Sequence, residues 1–198
     1  MSSQTYPVAA VEPHPVRLVV TDDLQRTRLT VAFRAVLAIP HIVWLCVWGI
    51  AATLAAIANW VATLVRGSSP ESLHAFLARY DRYLTQVGAY LGIVADPFPA
   101  FTGRAGYPVD LDVDSPAEQG RLAAAFRLVL AVPALLILNV LQSVLQLVGV
   151  LGWFYALATG RMHGGLRNIG VFCLRYQAQT FAYVTLLTSR YPSLSGVA

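Results

Sequence analysis

Residues 35–65 read AVLAIPHIVWLCVWGIAATLAAIANWVATLV and contain no charged side chain. Residues 128–158 form a second uncharged stretch, LVLAVPALLILNVLQSVLQLVGVLGWFYALA. Both stretches are 31 residues long, well beyond the ~20 residues with which a helix crosses the hydrocarbon core of a bilayer. Only 12% of the whole chain is charged, against roughly 25% in soluble domains. The sequence therefore predicts an integral membrane protein.

The two uncharged stretches occupy equivalent positions in an internal duplication. Residues 14–105 and 107–198 align without a gap, and 28 of the 92 aligned pairs are identical. Each residue of the first repeat has its equivalent 93 positions later. A fixed period of this kind predicts two modules of about 92 residues with the same architecture. Residues 1–13 precede the first module, and we expect them to be disordered.

A short alternating stretch opens each repeat. These stretches are VRLVV at residues 16–20 and VDLDV at residues 109–113. A period of two predicts one short, half-buried strand per repeat, and the two strands can pair with each other beside the membrane. Farther along, Gly67 and Gly160 follow the uncharged stretches. They predict a glycine C-cap at the end of each long helix.

The number of membrane spans depends on a second apolar segment in each repeat, at residues 73–95 and 166–188. The first of these segments contains Arg79, Asp81 and Arg82, and an arginine at the centre of a spanning helix costs about 2.5–3.5 kcal/mol. The charges fall in the first half of each segment, so a tilted helix can bring them to the membrane surface. We expect an all-α membrane protein with short juxtamembrane β-strands and four transmembrane helices. The alternative is two spans plus interfacial amphipathic helices that lie flat.

The two topologies differ in how the repeats are oriented. Four spans give parallel repeats with both termini on one side of the membrane, whereas two spans give an inverted pair. The distribution of arginines slightly favours cytoplasmic termini.

Arginine supplies the positive charge of the chain. All 14 residues counted as Lys or Arg are arginines, and the net charge is +4. Guanidinium groups stay ionised and fork onto phosphate, so anionic lipid headgroups are the expected partners. The arginines are scattered around the apolar stretches and form no continuous basic face, which argues against a nucleic-acid partner.

A set of short motifs is spread over both repeats. They are Tyr107-Pro108-Val109, Arg121-Leu122, Ile39-Pro40-His41, Thr159-Gly160-Arg161, Ala182-Tyr183 and Arg190-Tyr191-Pro192. With these motifs the chain resembles a family of bacterial membrane proteins catalogued as a domain of unknown function. The resemblance implies a membrane protein with tandem modules, and it brings no activity, substrate or catalytic residue. We expect a multi-pass protein of the bacterial plasma membrane. The chain departs from the motif at Ala134, where the family has histidine.

Two groups of polar side chains are candidates for contact with headgroups or a protein partner. The arginines near the start of the long helices are expected at headgroup depth; they are Arg28, Arg34, Arg121 and Arg127. A polar stripe follows in the second helix of each repeat, namely Arg82, Tyr83, Gln86 and Tyr90, and then Arg175, Tyr176, Gln179 and Tyr183. Spacings of three, four and seven place most of the stripe on one helical face. Such a stripe can hold an anionic headgroup or a partner's carboxylate, or it can pack with its polar ends in contact with one another.

A further polar stripe runs inside the second uncharged stretch. It consists of the amides Asn139, Gln142 and Gln146, while the first repeat has small residues such as Gly49 and Thr53 in this region. Small residues let membrane helices approach closely, and amides form hydrogen bonds across helices. We therefore expect the amide face of the second long helix to dock on the small face of the first. A polar pore lining is the rival interpretation.

The sequence offers no constellation that would support catalysis. It shows no nucleophile paired with a base, no metal-ligand spacing and no dinucleotide or phosphate-loop motif. We expect a non-catalytic integral membrane protein without a cofactor, which acts as an accessory subunit or a lipid-organising module. It would work with a membrane-protein partner or as a homo-oligomer. The alternative is a small transporter or channel built on the internal repeat.

Overall fold

A computed structural model describes residues 14–195, so the segment expected to be disordered, residues 1–13, lies outside the described residues. The described chain is mostly helical with one small sheet. Its elements in chain order are β1 (Val16–Val20), α1 (Arg28–Arg66), α2 (Glu71–Leu91), β2 (Val109–Val113), α3 (Arg121–Ala125), α4 (Arg127–Thr159) and α5 (Gly164–Val184). Each repeat thus contributes one strand, one long apolar helix and one shorter helix, with the short α3 leading into α4.

The long helices α1 and α4 end where the sequence predicts. They are 39 and 33 residues long and terminate at Gly67 and Gly160, whose φ angles of 80° and 74° are left-handed. Pro40 and Pro133 lie inside these helices without ending them. Within residues 14–195, α1 and α4 are the helices long and apolar enough to cross a membrane; α2 and α5 do not reach the same hydropathy.

The two strands pair with each other, as the sequence predicts. β1 and β2 are antiparallel, and Leu18 lies opposite Leu111 at the centre of the register. These leucines are equivalent residues of the two repeats. An antiparallel pair centred on equivalent residues relates the repeats by a two-fold axis, which passes between Leu18 and Leu111.

Two pairings away from the sheet obey the same relation. Gln25 forms an antiparallel bridge with Arg161, and Ser68 forms one with Glu118. Because Arg161 is the equivalent of Ser68, and Glu118 of Gln25, the second bridge is the image of the first. The bridges place the start of α1 beside the end of α4, and the end of α1 beside the start of α3. The long helices therefore run in opposite directions, whereas the expected four-span topology requires repeats that run in the same direction.

The elements form three layers along the two-fold axis. The sheet packs on α2 and α5, and these two helices pack against each other. Neighbouring side chains of α2 show where α1 lies: Arg82 donates a hydrogen bond to the Leu111 carbonyl in β2, while Tyr83 packs its ring on Trp48 of α1. The long helices α1 and α4 thus form the third layer, on the side of α2 and α5 that faces away from the sheet.

Candidate lipid-contact face and buried arginine sites

The outward face of α1 is apolar along the whole helix. Large apolar side chains that are at least half exposed recur at every third or fourth position: Leu29, Phe33, Val36, Ile39, Val43, Val47, Ile50, Leu54, Ile57, Val61 and Val65. This face is about 54 Å long at 1.5 Å per residue. α4 exposes a similar face that ends at Phe154. In the most apolar 18-residue segment of each helix only 17% is buried, whereas the core helix of a soluble protein is mostly buried.

The opposite surface of the molecule is charged. On the sheet, the Arg17 guanidinium lies 2.9 Å from a carboxylate oxygen of Asp112 and 2.8 Å from one of Asp114. All three side chains are exposed by 40% or more. Beneath them, Arg82 forms an ion pair with Asp110 at 3.2 Å. The folded chain is therefore amphipathic as a whole, with the sheet on its polar side and α1 and α4 on its apolar side.

The side chains of the polar stripe in the first repeat form hydrogen bonds with other parts of the same chain. Arg82 Nε donates to the Leu111 carbonyl at 2.9 Å, and Gln86 Nε2 donates to the Arg104 carbonyl at 2.8 Å. The Tyr83 hydroxyl lies 2.7 Å from Nδ1 of the buried His41. These contacts correspond to a packing stripe whose polar ends meet other parts of the same chain.

The second copy of the stripe has similar internal partners. Gln179 Nε2 donates to the Val16 carbonyl at 3.2 Å, while its oxygen accepts from the Ser193 backbone N–H at 3.0 Å. Arg175 donates to the Ser195 carbonyl at 3.0 Å. Tyr176 is buried like its equivalent in the first repeat. Both glutamines therefore bond to main-chain atoms of other segments: Gln86 to the segment before β2, and Gln179 to the first residue of β1 and to the segment after α5.

Arg34 lies inside the protein, although its position in the sequence predicts headgroup depth. It is 2% exposed and donates to the carbonyls of Tyr90 at 2.8 Å and Ala95 at 3.1 Å. Its guanidinium carbon lies 4.4 Å from the Tyr90 ring centroid. The Asp96 carboxylate, 2.8 Å from Nη2, is its counter-ion. The charge of Arg34 is thus neutralised within the first repeat.

A second buried arginine of the first repeat is also paired. Arg26 Nη2 lies 2.8 Å from Asp22, and both side chains are almost wholly inaccessible to solvent. Arg26 Nε also donates to the Ile93 carbonyl at 3.1 Å. In the second repeat the equivalents of Arg26 and Asp22 are Gln119 and Ser115. The second repeat therefore replaces this ion pair with neutral side chains.

Arg127, the equivalent of Arg34, is a buried cation with a different environment. It is 1% exposed and donates to Gln119 Oε1 at 2.7 Å and to the Ser189 carbonyl at 3.4 Å. Its guanidinium carbon lies 4.2 Å from the Tyr183 ring centroid. Ser189 stands where the first repeat has Asp96. Within residues 14–195 no carboxylate oxygen lies within 4.0 Å of the Arg127 side chain.

The other two arginines predicted at headgroup depth are on the surface. Arg28 and Arg121 are exposed, and Arg28 also donates to the Ala158 carbonyl at the end of α4 at 3.0 Å. Arg66, the last residue of α1, and Arg161, just after the end of α4, are exposed as well. Four exposed arginines therefore flank the apolar face, two at each end.

The amide stripe does not dock on the small face of α1. Asn139, Gln142 and Gln146 are exposed, and Gln142 and Gln146 line a groove of about 490 Å³ between α1 and α4. Gly49 instead faces α2, where an added Cβ would stand 3.0 Å from the Tyr80 hydroxyl. Thr53 is exposed and bonds back to its own helix. The expected contact between the two faces fails because the long helices meet near their ends.

Those end contacts come from two tryptophans that are equivalents. Trp60 Nε1 donates to the Ala124 carbonyl, and Trp153 Nε1 donates to the Val31 carbonyl, both at 2.9 Å. Sequence reasoning placed neither tryptophan in a contact between repeats. The conservation of tryptophan at this position in both repeats could have indicated the contact, because equivalent residues at a two-fold interface form the same hydrogen bond twice.

One acidic side chain in the interior lacks a partner. Asp81 is fully buried, and neither carboxylate oxygen has a hydrogen-bond partner among the described residues. Burial raises the pKa of Asp81 well above its usual range, because a buried site disfavours the charged carboxylate. Its equivalent is Leu174. Among residues 14–195, no group of three or more His, Cys, Asp or Glu side chains could hold a metal ion.

Comparison with known proteins places both repeats in one family. A family model described as a domain of unknown function, DUF4389, matches the chain twice, at residues 28–102 and at residues 121–195. No curated protein and no solved structure matches the chain. The two matched segments lie within the two-fold related modules, begin at equivalent residues and cover well over half of the sequence. The chain therefore belongs to the DUF4389 family and carries two tandem copies of its domain.

Proposed function

We propose that this protein is a non-catalytic, lipid-organising module that lies in one leaflet of the plasma membrane, with α1 and α4 parallel to the membrane plane. The observation that carries the proposal is the length of the apolar face on α1. That face runs for about 54 Å from one end of the helix to the other, whereas a hydrocarbon core is about 30 Å thick. A helix that lies in the membrane plane can bury such a face over its full length.

The position of the sheet supports the same orientation. The two-fold axis passes between Leu18 and Leu111, and it relates two long helices that run in opposite directions. If these helices crossed the bilayer, the axis would lie in the membrane plane and the sheet would sit at mid-depth. Arg17, Asp112 and Asp114 would then face hydrocarbon, where charged side chains are strongly disfavoured. With the axis along the membrane normal, the sheet faces water.

The positions of the exposed arginines support the same orientation. Arg28, Arg66, Arg121 and Arg161 flank the two ends of the α1 and α4 layer. In the proposed orientation all four lie at one height, beside the headgroups of a single leaflet. Guanidinium groups at this depth bind phosphate while their stems lie along acyl chains. Anionic lipids are therefore the proposed partners of the long-helix layer.

The lipid-organising role follows from the area that the two helices occupy. Two helices about 50 Å long and about 10 Å wide cover roughly 1,000 Å² of one leaflet. A body that enters one leaflet only expands that leaflet relative to the other and makes binding sensitive to curvature. The charged sheet remains on the water side, where it can serve an accessory role towards another protein.

Depth measurements along α1 test the proposal. A fluorophore is attached to a single cysteine at one of three positions along α1: Leu29→Cys, the native Cys46 or Val65→Cys. Its quenching is measured in vesicles whose lipids are brominated at different acyl positions. Asp112→Cys on the sheet is the control. A helix in the plane of one leaflet gives one shallow depth for all three labels, and no quenching at the control. A central depth for the label at Cys46, with the two end labels shallow, would contradict the proposal.

A further inference from the structure

We propose that the second repeat holds a phosphate-binding site built on the Arg127 guanidinium, in the place that the Asp96 carboxylate fills in the first repeat. The inference rests on the comparison of two equivalent sites and does not require the proposed membrane orientation. Its ligand is a phosphate group, from a lipid headgroup or from inorganic phosphate.

The first repeat shows what the site looks like when an anion is present. The Asp96 carboxylate accepts from Arg34 Nη2 at 2.8 Å, from the Thr27 backbone N–H at 3.2 Å and from Thr27 Oγ1 at 3.1 Å. Thr30 Oγ1 lies 3.5 Å from Asp96 Oδ1, the oxygen that also accepts from Arg34. A buried guanidinium, a backbone amide and two hydroxyls thus surround one anionic group at the start of α1.

The second repeat keeps the cation and loses the anion. Arg127 replaces Arg34 without change, while Ser189 replaces Asp96. Thr27 and Thr30 become Gly120 and Ala123, so the backbone N–H remains and both hydroxyl side chains are gone. Ser189 is exposed, and the place of the missing carboxylate is therefore reached from the surface. These replacements remove atoms on the side of the site where an external anion would enter.

The charge of Arg127 requires compensation. The side chain is 1% exposed, and no carboxylate of residues 14–195 lies within 4.0 Å of it. Burial of a cation without a counter-charge is strongly unfavourable. The Gln119 oxygen and the Tyr183 ring supply only neutral dipoles and a quadrupole. An anion from outside supplies the missing charge.

The surroundings favour phosphate over a small anion. A cleft of about 580 Å³ adjoins the site through Gln119, which bonds to Arg127 and also lines the cleft. The cleft is lined by two further arginines, Arg66 and Arg121, with Glu118 as its one acidic side chain. Guanidinium groups and a backbone amide match the several oxygens of a phosphate group.

Calorimetric titration of the purified full chain in neutral detergent with inorganic phosphate tests the site. We expect saturable binding of one phosphate per chain. Ser189→Asp installs the carboxylate of the first repeat and should weaken binding at least tenfold while the protein stays folded. The control Thr21→Asp adds the same charge at an exposed position beside the sheet and should bind as the wild type does.

The reciprocal variant and a lipid arm complete the test. Asp96→Ser removes the carboxylate that compensates Arg34 in the first repeat, and the stoichiometry should rise from one to two. Competition by short-chain phosphatidic acid at equal concentration identifies a lipid headgroup as the ligand, and its failure to compete identifies inorganic phosphate. Absence of saturable binding of either probe would overturn the proposal, and so would unchanged binding in Ser189→Asp.

Discussion

Leu18 lies opposite Leu111 in the only strand pair of the described residues, and the two leucines are the same position of the two repeats. This single pairing fixes a two-fold relation that the rest of the chain follows. The bridges from Gln25 to Arg161 and from Ser68 to Glu118 are images of each other. The duplication thus produces one symmetric body in place of two independent modules.

The tryptophan contacts between the repeats should contribute equally to stability. Trp60→Phe and Trp153→Phe each remove one hydrogen bond to a carbonyl of the other repeat. Each should lower the free energy of unfolding by about 1 kcal/mol, and the double variant by the sum because the sites are far apart. Denaturant unfolding in detergent measures both. A large loss from one variant with none from the other would contradict the two-fold description.

The buried ion pair of Arg26 and Asp22 should be replaceable by the neutral side chains that stand at the equivalent positions of the second repeat. Asp22→Ser alone leaves the buried Arg26 without its counter-ion and should lower the free energy of unfolding by about 3–5 kcal/mol. The double variant Asp22→Ser/Arg26→Gln should recover most of this loss, because Gln119 already holds the Leu186 carbonyl at 2.7 Å without any charge. Unfolding of both variants against the wild type checks the prediction. A double variant no more stable than Asp22→Ser would refute it.

The buried carboxyl of Asp81, which has no hydrogen-bond partner among the described residues, should destabilise the protein at neutral pH. Asp81→Leu copies Leu174 of the second repeat and should raise the free energy of unfolding by about 1–3 kcal/mol at pH 7.

The sign of the pH dependence follows from burial, which raises the pKa of Asp81 above its unfolded value of about 3.9. The folded state therefore binds the proton more tightly, so stability falls as pH rises from the unfolded pKa to the folded pKa. The leucine variant should lack this component of the pH profile. Identical profiles for the variant and the wild type would show that Asp81 is not buried as described.

The exposed amides should be dispensable for folding. Gln142→Leu/Gln146→Leu should leave the free energy of unfolding within about 0.5 kcal/mol of the wild type, since both side chains are exposed on the groove. The matched control Gln86→Leu removes a buried amide that bonds to the Arg104 carbonyl and should cost about 1–3 kcal/mol. Equal losses in the two variants would place the amide stripe in a packed interface after all.

The sequence predicted the features that depend on local pattern. Apolar runs, two-residue alternation and terminal glycines predicted two long helices, one strand per repeat and the caps at Gly67 and Gly160, and the structure confirms them. Pairing of the strands followed from the duplication. The helices, strands and caps depend on neighbouring residues, and the strand pairing depends on the repeat itself.

The features that depend on distant partners were not predictable in this way. Arg34 stands next to an apolar stretch and therefore indicates headgroup contact, yet its counter-ion Asp96 lies 62 residues away. The hydropathy pattern also predicts the length of each apolar helix, but it does not predict the relative direction of the two long helices. The opposed direction of α1 and α4 became evident only from the bridges at their ends.

Labelling from one side of sealed vesicles decides whether α1 crosses the membrane. Thr21→Cys, just before α1, and Ser72→Cys, just after it, are both at exposed positions. Each is introduced singly into a chain that lacks Cys46 and Cys173, and a membrane-impermeant maleimide is added outside. The single-leaflet orientation predicts that both positions are labelled from the same side. Labelling of the two positions from opposite sides, which a membrane-crossing α1 requires, would contradict it.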